Sequence, residues 1–227
     1  MADMADTGKP ACIDRLRRRI VIAGAGLAAF GSLAGAARAE PKAGRNYSVL
    51  DPALPVDSQA KIEVLEFFWY GCPHCYNLQP YLEKWLKTLP ADAMYRRVPA
   101  IFNQRWARDA ATFYAFEALG VLEKVHRPFF DSIHRDRLKS DNKQAMHEWL
   151  ATQGIDPKKF DDAIASFGVQ SKVRRAMQLT AGYRIDGTPS LAVNGRYRIS
   201  ADQASSQEDM LATAAYLIEL ARKDAAQ

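Results

Sequence analysis

Only three cysteines occur in the 227 residues, and two of them, Cys72 and Cys75, sit almost side by side. So sparse a set cannot frame a disulfide-scaffolded domain. Glycine (13) and proline (11) are also few, which excludes collagen-like and low-complexity repetition. A long hydrophobic run is missing too. The most apolar stretch, Ile20 to about Gly35, is too short and glycine-rich for a membrane span, which needs roughly 20 apolar residues. What is present is 48% hydrophobic, 25% charged and 10% aromatic. That is too aromatic for disorder and long enough for one core, alone or with an appended lobe.

The first 39 residues stand apart from that core. Arg15, Arg17, Arg18 and Arg19 precede the apolar run, and Ala37-Arg38-Ala39 precedes Glu40. A charged start, a short apolar middle and a small-residue exit describe a secretory signal peptide over 1–39. The alternative is an uncleaved N-terminal anchor. Arg18-Arg19 followed by Ile20-Val21 permits either general secretion or the twin-arginine route. Removing this segment leaves 25 basic against 23 acidic residues, so the net charge falls from +5 to +2. A nucleic-acid partner is therefore not expected. Cys12 leaves with the segment, and Cys72 and Cys75 become the only pair. A bridge closing so small a loop restrains little of the unfolded chain, so stapling is a weak motive for it.

After a Pro/Asp/Ser-rich entry with a short strand candidate at Tyr47–Leu50, Ile62 to Tyr70 (IEVLEFFWY) is apolar on both faces. That pattern suits a central strand covered on each side. Cys72–Leu89 reads as a helix stopped by Pro90, and Met94–Pro99 as a second strand. This strand–helix–strand unit implies parallel neighbours. Strands then vanish for about ninety residues, replaced by helical spacing over Arg105–Leu119, Leu122–His134, Asn142–Gln153, Pro157–Phe167 and Val169–Tyr183. Strand signals return at Ser190–Val193 and Arg196–Ile199 around the hairpin pair Asn194-Gly195. A last amphipathic helix runs from about Ser206 to Lys223. The fold class is α/β: a split domain comprising 40–102 and 169–227, with a helical insertion at 103–168.

The chemistry gathers at EFFWYGCPHCYN, Glu66 to Asn77. With Cys72 at the N-cap, Pro73 falls at the first helical position, where its fixed φ fits and its missing N–H costs nothing. The N–H groups of His74 and Cys75 can donate to the Cys72 sulfur, and the helix dipole adds positive potential there. A protonated His74 would add more. All of this favours a Cys72 thiolate. Each unit of pKa depression below ambient pH stabilises the reduced pair by about 1.4 kcal/mol, or roughly 30 mV of oxidising power. Cys75, one turn inside the helix, is the buried resolving candidate. Glu66 falls on the face of Ile62, Val64 and Phe68 in a strand with no polar side. A buried carboxyl there has a raised pKa and could exchange a proton with Cys75. A strand-end Glu reaching solvent is the bland alternative. Structural zinc wants four ligands. His126, His134 and His147 form no spaced pair and read as solvated surface residues, so no metal and no other cofactor is expected.

VLEFFWYGCPHCYN, followed by GTPSLAVNGRY, resembles the DsbA group of thioredoxin-fold thiol oxidases over essentially the whole chain after residue 39. The resemblance implies a thioredoxin fold, a central mixed sheet flanked by helices, with the helical stretch inserted. It implies Cys72 as nucleophile and Cys75 as resolving cysteine of a redox-active Cys72–Cys75 disulfide, with Pro73 and His74 tuning its poise. Glu66 would be a buried proton relay. Pro189, in cis, would face the disulfide, and Thr188 would occupy the variable position before it. The expected activity is protein dithiol oxidation in the periplasm on unfolded exported proteins with free thiols. A membrane DsbB-type, quinone-linked partner would reoxidise the protein, and a monomer is expected. A disulfide isomerase or reductase with the same motif is the alternative, although about twenty residues between Glu40 and the first central strand leave little room for an isomerase's dimerisation module. A metal-holding or chaperone-like binding module is a third class. Two features depart from the pattern: Pro80 inside the active-site helix, and Trp69-Tyr70-Gly71 leading into Cys72.

Overall fold

Ile62–Phe68 forms the central strand because it is apolar throughout except at two glutamates, and six of its seven residues are buried. The computed structural model of the chain describes residues 40–58 and 60–225. The segment 1–39, which carries the signal-peptide expectation, lies outside the described residues. The strands in chain order are β1 Ser48–Val49, β2 Ile62–Phe68, β3 Ala93–Pro99, β4 Ser190–Val193 and β5 Tyr197–Ser200. They make one mixed sheet in the order β1-β5-β4-β2-β3. β2 runs parallel to β3 and antiparallel to β4, with Glu66 opposite Arg97 on one side and Leu191 on the other.

The helices in chain order are α1 Pro73–Leu86, α2 Gln104–Ala118, α3 Leu122–His134, α4 Lys143–Thr152, α5 Pro157–Ala165, α6 Phe167–Gly182 and α7 Gln207–Ala225. One sheet face packs Val64, Leu191 and Val193 against Leu78 and Leu82 of α1 and Leu217 of α7. The other packs Leu65 and Phe67 into the aromatic core of the helical stretch, with Phe113, Phe116, Phe129 and Phe130. A sheet covered on both faces has no alternating strand pattern, which is why β2 reads as a continuous apolar run.

Element ends differ from the sequence reading for local reasons. α1 stops at Leu86, because Lys87, Thr88 and Leu89 donate to carbonyls three residues back in a tightening last turn. Pro80 lies within α1 without ending it. Ser166 closes α5 and opens α6, its hydroxyl accepting from the Val169 N–H at 3.3 Å, so α6 begins two residues early, at Phe167. The Tyr47–Leu50 strand shrinks to Ser48–Val49. At the β4–β5 turn, Asn194 (φ 50°) and Gly195 (φ 70°) both take left-handed backbone, as a two-residue hairpin with the favoured twist requires.

Candidate active site

Cys72 is the N-cap of α1, with extended backbone (φ −88°, ψ 116°) and Pro73 in the first turn. Its sulfur accepts the Cys75 N–H at 3.4 Å and lies 3.3 Å from the Thr188 carbonyl oxygen, to which the thiol donates. Its own N–H donates to the Trp69 carbonyl at 3.0 Å. Both cysteines are free thiols; Cys72 is 7% exposed and Cys75 is completely buried. A hydrogen bond from the Cys75 thiol is the largest influence on Cys72 and outweighs burial. With Thr188 and the backbone N–H groups of Cys75 and His74, it lowers the Cys72 pKa to about 5. Burial drives the Cys75 thiol well above its ordinary value. The two sulfurs thus differ sharply although they share one helical turn. His74 acts through its backbone, since its side chain is exposed.

Glu66 is fully buried, so the bland solvent-reaching alternative does not hold. Burial raises its pKa against the opposing pull of Arg97, Tyr95 and Gln79. The Tyr95 hydroxyl donates a short hydrogen bond to it, Gln79 Nε2 donates at 3.2 Å, and Arg97 stands 3.8 Å away. Gln79 Nε2 also donates to the Cys75 carbonyl at 3.2 Å, tying Glu66 to the helix that carries Cys75. Tyr95, Arg97 and Gln79 do not emerge from sequence reasoning. The one signal for Tyr95 and Arg97 is the polar run Tyr95-Arg96-Arg97 inside an otherwise apolar strand, and Gln79, on α1, has none. Thr188 and Pro189 lead into β4 beside Cys72, and the peptide between them is cis; a second cis bond, Asp51–Pro52, goes beyond the sequence reading.

The histidines correct an expectation. His126 is not on the surface. It is 4% exposed, its Nδ1 lies 2.9 Å from the Tyr70 hydroxyl, and its Nε2 is buried without a partner. His134 is partly buried, donating from Nε2 to the Tyr70 carbonyl at 2.8 Å and stacking on Tyr76 at 4.8 Å. His147 is half-buried on Asp161, 3.0 Å away. Two of these helical histidines therefore brace the Tyr70 loop behind the cysteines, because the faces that carry them turn inward against it.

Burial, with Arg97 and Arg127 nearby, holds the His126 pKa well below its usual value. A depressed histidine favours folding while neutral and costs stability once the unfolded chain protonates, below about pH 6.5. The oxidised protein is therefore expected to lose stability on acidification, and His126→Gln to lose less. Their difference should narrow by up to about 1.4 kcal/mol per pH unit below pH 6.5. Denaturant midpoints of both at several pH values check this, and a pH-independent difference refutes it.

A family model described as a DSBA-like thioredoxin domain matches residues 91–215. The DsbA thiol:disulfide interchange protein of Azotobacter vinelandii is 43% identical over 203 residues, covering 89% of this chain and 95% of that protein. The chain belongs to the DsbA family. Its Pseudomonas aeruginosa relative is 38% identical over 79% of this chain and 85% of its own. The crystal structure of Pseudomonas aeruginosa DsbA superposes with a TM-score of 0.78 at 37% identity, covering 82% of this chain and 97% of that one. NmDsbA1 of Neisseria meningitidis gives 0.72 at 29%, over 82% and 96%. The fold is thus thioredoxin-like and the protein is a thiol:disulfide oxidoreductase. The family-model match begins after both cysteines, so its evidence is independent of the Cys72–Cys75 motif.

Proposed function

We propose that this DsbA-family protein is a periplasmic dithiol oxidase acting through Cys72 and Cys75. The observation that carries the reading is the Cys72 sulfur at the N-cap of α1, accepting the Cys75 N–H and set against Thr188. A sulfur so placed is stable as a thiolate, and a stable thiolate makes a disulfide that is readily given up. A client thiolate attacks Cys72 Sγ. A client–Cys72 bond forms, and the Cys72–Cys75 bond breaks with its electron pair passing to Cys75, which takes a proton. The client's second thiolate then attacks its own sulfur in the mixed disulfide, and Cys72 departs as a thiolate. Two electrons end on the enzyme pair and one disulfide on the client. Glu66 serves as the proton relay for Cys75, a reading supported by Gln79, which bonds both the Glu66 carboxyl and the Cys75 carbonyl. Pro73 and His74 shape the helix start, and Thr188 and Pro189 form the wall where an extended client segment lies. Unfolded exported proteins are the clients, and a quinone-linked membrane partner of the DsbB type restores the disulfide.

Alkylation tests this directly. At about pH 5.5, well below the ~8.5 of an ordinary thiol, iodoacetamide is expected to modify Cys72 of the reduced protein and leave Cys75 untouched. Equal labelling of both, or of neither, sinks the assignment. Equilibration with glutathione then separates an oxidase from a reductase of the same fold. An oxidase stays reduced in buffers that keep ordinary disulfides intact.

A further inference from the structure

Trp69, in the loop that leads into Cys72, is engaged on every side. Its backbone carbonyl accepts the Cys72 N–H at 3.0 Å, and its backbone also hydrogen-bonds toward the Cys75 thiol. Its indole folds back over Gly71, so that a Cβ at 71 would run into the ring. The ring stacks on Trp106 at 4.3 Å with an interplanar angle of 12°, and the Arg105 guanidinium sits 5.2 Å from its centroid. The indole Nε1–H donates to Asp109 Oδ2 at 2.6 Å. Asp109 is 6% exposed and takes a second hydrogen bond from the Ser140 hydroxyl at 3.2 Å. A buried carboxylate is costly unless its hydrogen bonds are made. Here it spends both oxygens on orientation: one on the active-site loop, one on the segment between α3 and α4.

We propose that Trp69 and Asp109 are positioning residues of the redox reaction. Together they bolt the loop that presents Cys72 to α2, so that the oxidising strength of the pair is set in part by the helical insertion. The inference rests on the dithiol-oxidase reading. Its physical basis is geometric. The contact that favours the thiolate, the Cys75 N–H donating to the Cys72 sulfur at 3.4 Å, weakens as the sulfur is displaced or turned away from the helix start. A loop pinned at Trp69, three residues before Cys72, keeps that contact in place. An apolar pairing of similar area would pack the loop equally well, but a hydrogen bond to a fixed carboxylate also sets its rotation.

The test uses the full chain with Trp69→Phe, Asp109→Ala and Asp109→Asn, read by thiolate absorbance and by equilibrium with glutathione. Trp69→Phe keeps a ring and loses the donor; Asp109→Ala loses the acceptor. Both are expected to raise the Cys72 pKa by about one unit and to shift the glutathione equilibrium about 10-fold toward the disulfide. Asp109→Asn, which can still accept from the indole, should remain within about 2-fold of the parent. By the thermodynamic cycle, stability lost by the reduced form should exceed that lost by the oxidised form. Equal losses in the two redox states, or an unmoved equilibrium in both Trp69→Phe and Asp109→Ala, overturn the inference and leave Asp109 a packing residue. A parent whose Cys72 titrates as an ordinary thiol overturns the oxidase reading instead.

Discussion

The dithiol form is expected to resist denaturant better than the disulfide form, by on the order of 2 kcal/mol at pH 7, with a margin that depends on pH in one direction. Cys72 titrates at about 5 in the folded, reduced protein and at about 8.5 once unfolded. Between those values the unfolded chain holds a proton that the folded chain has released. The stability of the reduced form therefore rises with pH by up to about 1.4 kcal/mol per unit, and it is lost as pH falls toward 5. Partial solvent access to the sulfur screens this and brings the figure at neutral pH down. The disulfide itself works the other way by constraining the unfolded chain, but least for so short a loop. With Cys72 and Cys75 joined, the oxidised protein lacks the Cys72 contribution, while the acid slope from His126 is common to both forms and cancels in the margin. Paired urea titrations of both redox forms at pH 5, 6 and 7 give the margin. A disulfide form that is the more stable at pH 7, or a margin that does not shrink with acid, marks a structural bridge and ends the oxidase reading.

The parts of this site that depend on adjacent residues are legible in the sequence. Cys72 as an N-cap followed by Pro73 is a matter of one helical turn, and the turn obeys local rules whatever surrounds it. Glu66 is legible for a related reason: a glutamate in a strand with no polar face has nowhere wet to go. Its partners are not. Tyr95 and Arg97 meet Glu66 only through the parallel register that sets Glu66 opposite Arg97. Sequence periodicity is blind to register unless one face is polar. The same limit explains His126. In the helices between β3 and β4 a histidine's neighbours follow from how helices pack, and the aromatic walls around His126 (Phe68, Tyr70, Phe113 and Phe130) come from three separate segments. The Trp69–Asp109 bond spans forty positions. Trp69 stands out in the sequence as unusual, but nothing near it names its partner.

The buried carboxyls of Glu66 and Asp109 both reach the active-site region. Glu66 lies under α1 on the sheet, with Gln79 bridging to the Cys75 carbonyl. Asp109 lies on α2, bridging the Trp69 indole and Ser140. Burial raises the pKa of each. Of the two, Glu66 is the one tied to the helix of Cys75, which is why proton transfer is proposed for Glu66 and orientation for Asp109.

Replacing Glu66 by Gln is expected to slow client oxidation by on the order of 100-fold, the lower end of what positioned acid–base groups contribute. When a client thiolate opens the disulfide, Cys75 leaves as a thiolate inside a fully buried site where its charged form is disfavoured. A protonated Glu66 can neutralise it; an amide of the same shape cannot. The raised pKa of Glu66 keeps a share of it protonated above the usual carboxylate range. The ratio of parent to variant rates should therefore fall as pH rises and Glu66 ionises. Stability is expected to move the other way. A carboxyl with a raised folded pKa destabilises the protein above its unfolded value, because the unfolded chain ionises first. Glu66→Gln removes that cost at neutral pH and leaves Arg97 its second carboxylate, Glu123, at 3.4 Å. Stopped-flow oxidation of a dithiol peptide and urea midpoints on the same preparations give both readings. A variant slower and less stable in step is merely damaged. A variant slower while equally or more stable, with Cys72 still alkylated at about pH 5.5, has lost a proton relay and nothing else.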